Sequence, residues 1–148
     1  MPTAKRDDPY RGFKFRVEIE GIQRAGFREV SGLDSAQDAV DYREGDDKTM
    51  TIRKLAGLNK FSSITLKRGI TDDMQLWNWR KQVMQGKMEG ARKSGAIILM
   101  DDEGNDKSRW EFKEGWPSKW TGPSFNATSN DVAIDTLEIV HEGLDRTK

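Results

Sequence analysis

Apolar and polar residues alternate with a period of two over residues 12–20. Phe13, Phe15, Val17 and Ile19 fall on one face, and Lys14, Arg16, Glu18 and Glu20 on the other. That period predicts a half-buried strand. Gly21 ends it, and residues 22–30 read as a second strand, distorted near Gly26. Residues 31–34 read as a turn, and residues 36–43 as a third strand with Ala36, Val40 and Tyr42 pointing inward. Residues 44–60 are polar, alternate in charge and contain Gly45 and Gly57. They read as an extended loop, of a length that usually carries function. Residues 61–68 form the next strand, with Ile64 and Leu66 on one face.

The period then changes. Thr71 is suited to an N-cap, and Asp72 and Asp73 to a first helical turn, where the dipole favours negative charge. Leu76, Trp77, Arg80, Val83 and Met84 at helical spacing predict a helix over residues 72–85, with Gly86 just past its end. Residues 91–101 and 107–114 read as a hairpin about a turn at 102–106. Residues 115–130, rich in Pro, Ser, Asn and Trp, read as an ordered surface loop. Residues 132–142 close the chain as a strand, and its apolar positions change parity between Ile134 and Leu137, which predicts a bulge. Residues 1–11, with Pro2 and Pro9, read as a flexible arm. About seven strands and one helix predict a mainly β, antiparallel sandwich or barrel with one flanking α-helix, a single domain over residues 12–146.

Composition sharpens this. Charged residues and apolar residues each make up 34% of the 148, and the mean hydropathy is −0.83. A polar balance of that kind approaches the disordered range, but 25 basic residues cancel 25 acidic ones, and five Trp and six Phe supply bulky apolar surface. A folded domain with a thin core follows, stabilised in part by neighbours. The absence of cysteine excludes disulfides, thiolate nucleophiles and cysteine-bound zinc. A single histidine, His141, excludes a multi-histidine metal site. The apolar run 96–100 is far short of a membrane span, and the N-terminus lacks a hydrophobic signal region, so synthesis in the cytoplasm is expected.

Candidate chemistry is sparse. The pairs Asp46–Asp47, Asp72–Asp73 and Asp101–Asp102 sit in a loop, a helix start and a turn, where water keeps both members ionised. The acidic stretch 101–106 lacks the ligand spacing of a calcium loop. His141 has no nucleophile in a suitable context and reads as a surface or interface imidazole. Trp77 and Trp79 lie on different sides of a helix and cannot form one stacking platform, so one belongs to the core and the other to another contact. These readings predict no enzyme, no cofactor and no metal.

Three stretches say more. Residues 26–34 read GFREVSGLD. KLAGL at 54–58 and ITLKRGIT at 64–71 lead into LWNW at 76–79. GWPSKW at 115–120 runs on to TLEIVHEGL at 136–144. In this order and spacing they resemble the tail tube proteins of contractile phages and phage-tail-like contractile injection systems, over roughly residues 9–146. Ala56 departs from the family pattern, which has Pro there, and loosens the loop. The resemblance implies a β-sandwich subunit with one flanking helix, assembling into hexameric rings that stack into a hollow inner tube. A surrounding sheath contracts and drives the tube through a target envelope to deliver DNA or protein cargo. The implied partners are further copies of the chain, the sheath, baseplate or spike-hub and tube-terminating proteins, and luminal cargo, with no membrane insertion of the subunit itself. The implied location is a phage tail or released contractile particle, assembled in the bacterial cytoplasm.

Within that frame the sequence nominates three surfaces. The 44–60 segment is expected to carry ring stacking through Asp46, Asp47, Lys48, Arg53 and Lys54, with Met50, Ile52, Leu55 and Leu58 as apolar anchors. The terminal strands are expected to join subunits edge to edge, through Arg16, Val17, Glu18 and Ile19 on one side and Ile134, Leu137 and Ile139 on the other. The Lys14, Arg16, Glu18, Glu20 row is the candidate for a lumen or outer face. The helix is expected to cover one sheet with Leu76, Val83 and a tryptophan, its charged back outward. The rival function is a β-barrel module binding single-stranded nucleic acid, which the balanced charge disfavours.

Overall fold

In the computed structural model the described residues are 14–43, 45, 51–128 and 131–148, and of residues 23–25 only the backbone. The expected arm 1–11, with Gly12 and Phe13, lies outside them, as do Asp46, Asp47, Lys48 and Met50. The elements are β1 (Phe15–Ile19), β2 (Ile22–Ala25), β3 (Glu29–Ser31), β4 (Ser35–Tyr42), β5 (Arg53–Phe61), β6 (Ile64–Gly69), α1 (Gln75–Met84), β7 (Lys93–Met100), β8 (Asp106–Thr121), β9 (Ile134–Val140) and β10 (Gly143–Arg146). Every strand pair is antiparallel.

The main sheet runs β2-β1-β7-β8-β9-β6-β3, and β10 also pairs with β8. The sixteen-residue β8 is its spine. Its first part pairs with β7 from Asp106 to Gly115. Along the other edge β10 and then β9 follow one another in a single register, Arg146 opposite Trp110 and Val140 opposite Trp116. Where β8 passes from one stretch to the other, Glu114 takes a left-handed φ of 52°. This lets one long strand serve both halves of a folded sheet, with the core between them: Val17, Ile19, Ile64, Leu66, Leu76, Trp79, Ile97, Phe112, Leu137 and Ile139.

Several expectations are corrected. The strand expected over 22–30 is two strands that pair with different partners, β2 with β1 and β3 with β6, broken at residues 26–28. Residues 115–121, expected as loop, continue β8. The bulge expected in the closing strand is absent, because β9 keeps register with β6 from Ile134 to Ile139. The irregularity lies across from it, between Pro117 and Lys119 of β8, at the residue that has no backbone N–H to give the ladder. Much of the expected 44–60 loop is the strand β5, and β4 turns none of its side chains into the core, so Ala36, Val40 and Tyr42 are exposed.

The helix begins at Gln75 rather than Asp72, with Met74 at the N-cap and no side-chain cap there. The cause is the end of the preceding strand. Buried Arg68 donates to the Asp73 carbonyl at 3.1 Å and lies 3.6 Å from its carboxylate, holding the segment before the helix against β6. Asp73 Oδ1 still accepts from the Gln75 N–H at 3.0 Å. At the other end Gly86 has φ 76°, the left-handed stop that the sequence predicts. Leu76 and Trp79 enter the core, and Trp79 Nε1 donates to the Ala91 carbonyl at 2.6 Å. Trp77, on another side, meets Trp120 edge-on with ring centroids 5.3 Å apart.

Candidate assembly interface

The β3–β6 pair does not end at the body of the molecule. Its register, Val30 opposite Leu66 and Ser31 opposite Thr65, resumes unchanged in β4–β5, with Ser35 opposite Phe61 and Gln37 opposite Asn59. The chain thus builds one long hairpin, interrupted at residues 32–34 and 62–63 and irregular again between Gln37 and Ala39. Gly32 sits at the interruption with φ 90°, and a Cβ there would lie 2.1 Å from the Ser63 carbonyl oxygen, so only glycine fits. Beyond that point β4 and β5 pair with each other alone. A two-stranded ribbon is marginal by itself in water, and this one exposes Val40, Tyr42, Ile52, Leu55 and Leu58, the last 77% exposed. Val40 lies opposite Leu55, and Tyr42 opposite Arg53, so Val40, Tyr42 and Leu55 share a stripe on one face. Ion pairs tie the strands together, Lys54 with Asp41 and Lys60 with Asp38, the latter at 3.1 Å.

Of the stacking residues nominated from sequence, Ile52, Arg53, Lys54, Leu55 and Leu58 are on or beside this ribbon. Val40 and Tyr42 of β4 are exposed on the same ribbon; the sequence assigned them to the interior because a short apolar alternation looks the same whether it faces a core or solvent.

The edge-pairing set fares differently. Val17, Ile19, Leu137 and Ile139 are buried in the subunit's own core. β1 lies between β2 and β7, and β9 between β8 and β6. β1 is interior because β2 extends the sheet beyond it, and β9 because β6 pairs along its other side. Among the described residues the strands with an open edge are β2, β3 and β10, together with the ribbon.

The charged row on β1 is more structured than its sequence suggests. Arg16 grips Asp106 of β8 with two bonds of 2.9 and 2.8 Å and donates to Glu18 at 3.0 Å. Arg109 of β8 reaches Glu18 at 3.6 Å and Glu111 at 2.7 Å. The result is a ladder of alternating sign, Asp106–Arg16–Glu18–Arg109–Glu111, on the sheet face opposite the core. Ala96 and Ile98 of the intervening β7 are buried on this face, covered by long charged side chains whose stems are apolar. The Arg16 guanidinium holds the Asp106 carboxyl below the usual carboxylate range, and Asp106 raises Arg16 in return. The row continues into an open cleft of about 880 Å³ lined by Glu18, Glu20, Phe61, Arg109, Glu111 and Glu142 among others.

The remaining candidates resolve as structural groups. Asp101 accepts from the Glu103 and Asn105 N–H groups at 2.9 and 2.8 Å, closing the β7–β8 turn, and these bonds lower its pKa. His141 is half-buried: Nε2 donates to the Ser62 carbonyl at 3.1 Å at the foot of the ribbon, and its ring lies 5.6 Å from Phe61 and 6.1 Å from Phe112. Among the described residues no cluster of three metal-ligating side chains occurs, and no helix is long and apolar enough to cross a membrane.

The family model for the T4-like virus tail tube protein gp19 matches residues 11–145. The chain belongs to this tail tube family. Its structural relatives agree. A chain in the cryo-EM structure of the PVC sheath/tube terminator, an extracellular contractile injection system in its extended state, is 28% identical, with a TM-score of 0.85 over 96% of this chain and 99% of that one. A chain of the PVC sheath-tube complex is also 28% identical, with a TM-score of 0.83 over 94% of this chain and 91% of that one. Hcp1 from Flavobacterium johnsoniae, 16% identical, shares the fold with a TM-score of 0.57 over 90% of this chain and 94% of that one. No curated protein sequence matches. Membership makes this chain a structural tail tube protein and selects that reading over the single-strand-binding module.

Proposed function

We propose that the chain is the repeating subunit of the inner tube of a contractile tail or injection particle. It closes into hexameric rings, and the β4–β5 ribbon of each subunit docks on a copy in the next ring. The rings stack into a hollow conduit that a contracting sheath drives through a target envelope, carrying DNA or protein. The observation that carries this reading is the ribbon itself, a marginal two-stranded extension with an exposed apolar stripe. Such a surface on a folded subunit calls for a partner. Its role is mechanical rather than enzymatic, which the structural engagement of His141 and Asp101 supports. Lateral closure uses the open edges of β2, β3 and β10, a head-to-tail contact that the circle completes without leaving an edge exposed. The charged ladder belongs to a water-facing wall of the tube, lumenal or outer. Sheath, baseplate or spike-hub and tube-terminating proteins are the expected partners, in a particle assembled in the bacterial cytoplasm.

Deleting residues 45–51 tests the stacking role. The shortened protein is expected to fold and to give rings or monomers in negative stain, without tubes. Tubes of normal length from the deletion variant refute the assignment.

A further inference from the structure

Stacking by repetition along one axis requires two different surfaces on each copy, one at each pole, because the contact is heterologous. The ribbon supplies one. The strands that carry it locate the other pole, since β6 starts at the ribbon's foot and runs away from it for six residues, about 20 Å. Antiparallel β9 starts where β6 ends, with Ile134 opposite Gly69 and the Ile70 N–H bonded to the Ala133 carbonyl at 3.1 Å. That far pole exposes Ile70, Val132 and Phe125, 48, 67 and 84% accessible. A shallow cleft of about 400 Å³ runs beside them, lined by Arg28, Ser124, Asp131, Val132 and Ile134. Nothing in the fold of the single subunit requires three large apolar side chains to be grouped in water at one end.

We propose that this patch is the receptor for the ribbon of a copy in the next ring, a reading that rests on ribbon-mediated stacking. Val40, Tyr42 and Leu55 of the ribbon pack on Ile70, Phe125 and Val132. Both surfaces are polar beside their apolar residues: the cleft is lined by Arg28, Ser124 and Asp131, and the ribbon's flank carries Asp41 and Lys54 as a cross-strand pair. The reach is sufficient, since eight residues of β4 extend about 27 Å. The receptor and ribbon lie at opposite ends of β6, so one copy cannot satisfy its own ribbon, and only a neighbour can.

The chain has no cysteine, so an introduced pair reports contact directly. In assembled, oxidised tubes the double variant Leu55→Cys/Val132→Cys is expected to run as a ladder of subunit multiples on a denaturing gel, while each single variant runs as monomer. As a second measurement, Val132→Asp, at an exposed position, should leave the melting temperature within about 2 °C and abolish tubes while rings persist. Tubes of the double variant that give no ladder, or normal tubes from Val132→Asp, overturn the receptor. The 45–51 deletion separates this from the parent reading: if the deletion still abolishes tubes, stacking by the ribbon stands and only the receptor is wrong, whereas tubes from the deletion variant overturn both.

Discussion

Phe112 is seated on two glycines. A Cβ at Gly95 would lie 2.4 Å from its Cζ atom, and one at Gly115 would lie 2.6 Å from Cε2. The ring fills the space that two neighbouring side chains would otherwise occupy, so Gly95→Ala overpacks the core and should cost about 1–3 kcal/mol. Gly122→Ala, with no atom within 4 Å of the added methyl, should change stability by less than about 0.5 kcal/mol. Urea unfolding of the two variants checks the contrast. Asp106 makes a pH prediction. Its folded pKa is depressed by Arg16, so its contribution is complete above the unfolded value near pH 4 and is lost as the pH falls through the lower folded value. Melting temperatures of Asp106→Asn should therefore fall less steeply than those of the native chain below about pH 4. At this scale the core was legible: alternation alone placed Val17, Ile19, Ile64 and Leu66 inward, as found. Arg16 was not, because the partner that draws its side chain down to 15% exposure is ninety positions away.

Elements were legible in proportion to how far each one buries a face of its own. The helix shows its period because Leu76 and Trp79 enter the core, and Leu76→Asp, placing a carboxylate where the side chain is 1% exposed, should cost about 3 kcal/mol or more. A melting temperature within a degree or so of the native value would contradict that placement. The helix start was misplaced because Arg68, buried at the end of β6 and only five positions before Asp73, ties that residue to the strand against the local cap signals. The ribbon was half missed for the opposite reason. β5 buries almost nothing within the subunit, so the pattern that normally betrays a strand is missing, and its Gly57, Asn59 and charges look like loop. The second half of β8 was hidden by Gly115 and Pro117, which signal a break in sequence but here sit where the strand changes partner and where its ladder is irregular.

For the whole molecule, strand order lay beyond sequence pattern. Alternation identifies a face but not a neighbour, and nothing local pairs Phe15 with Leu99 or Trp110 with Arg146. The same topology predicts slow folding. With β1 waiting for β7 and β8 for β10, the dissociated subunit should refold in milliseconds to seconds rather than microseconds, measurable by tryptophan fluorescence after rapid dilution from urea. The resemblance in function rested on ordered words spread over most of the chain, whereas the surfaces proposed for stacking became visible only once β6 connected them. That connection has a consequence for growth. If the ribbon at one pole seats on the Ile70–Val132 patch at the other, as proposed, a finished tube is an arrow. One end then offers a crown of unfilled ribbons and the other a ring of empty seats. Addition at the two ends is in that case chemically different and should proceed at different rates, and a protein shaped to stop elongation at one end would have no purchase on the other.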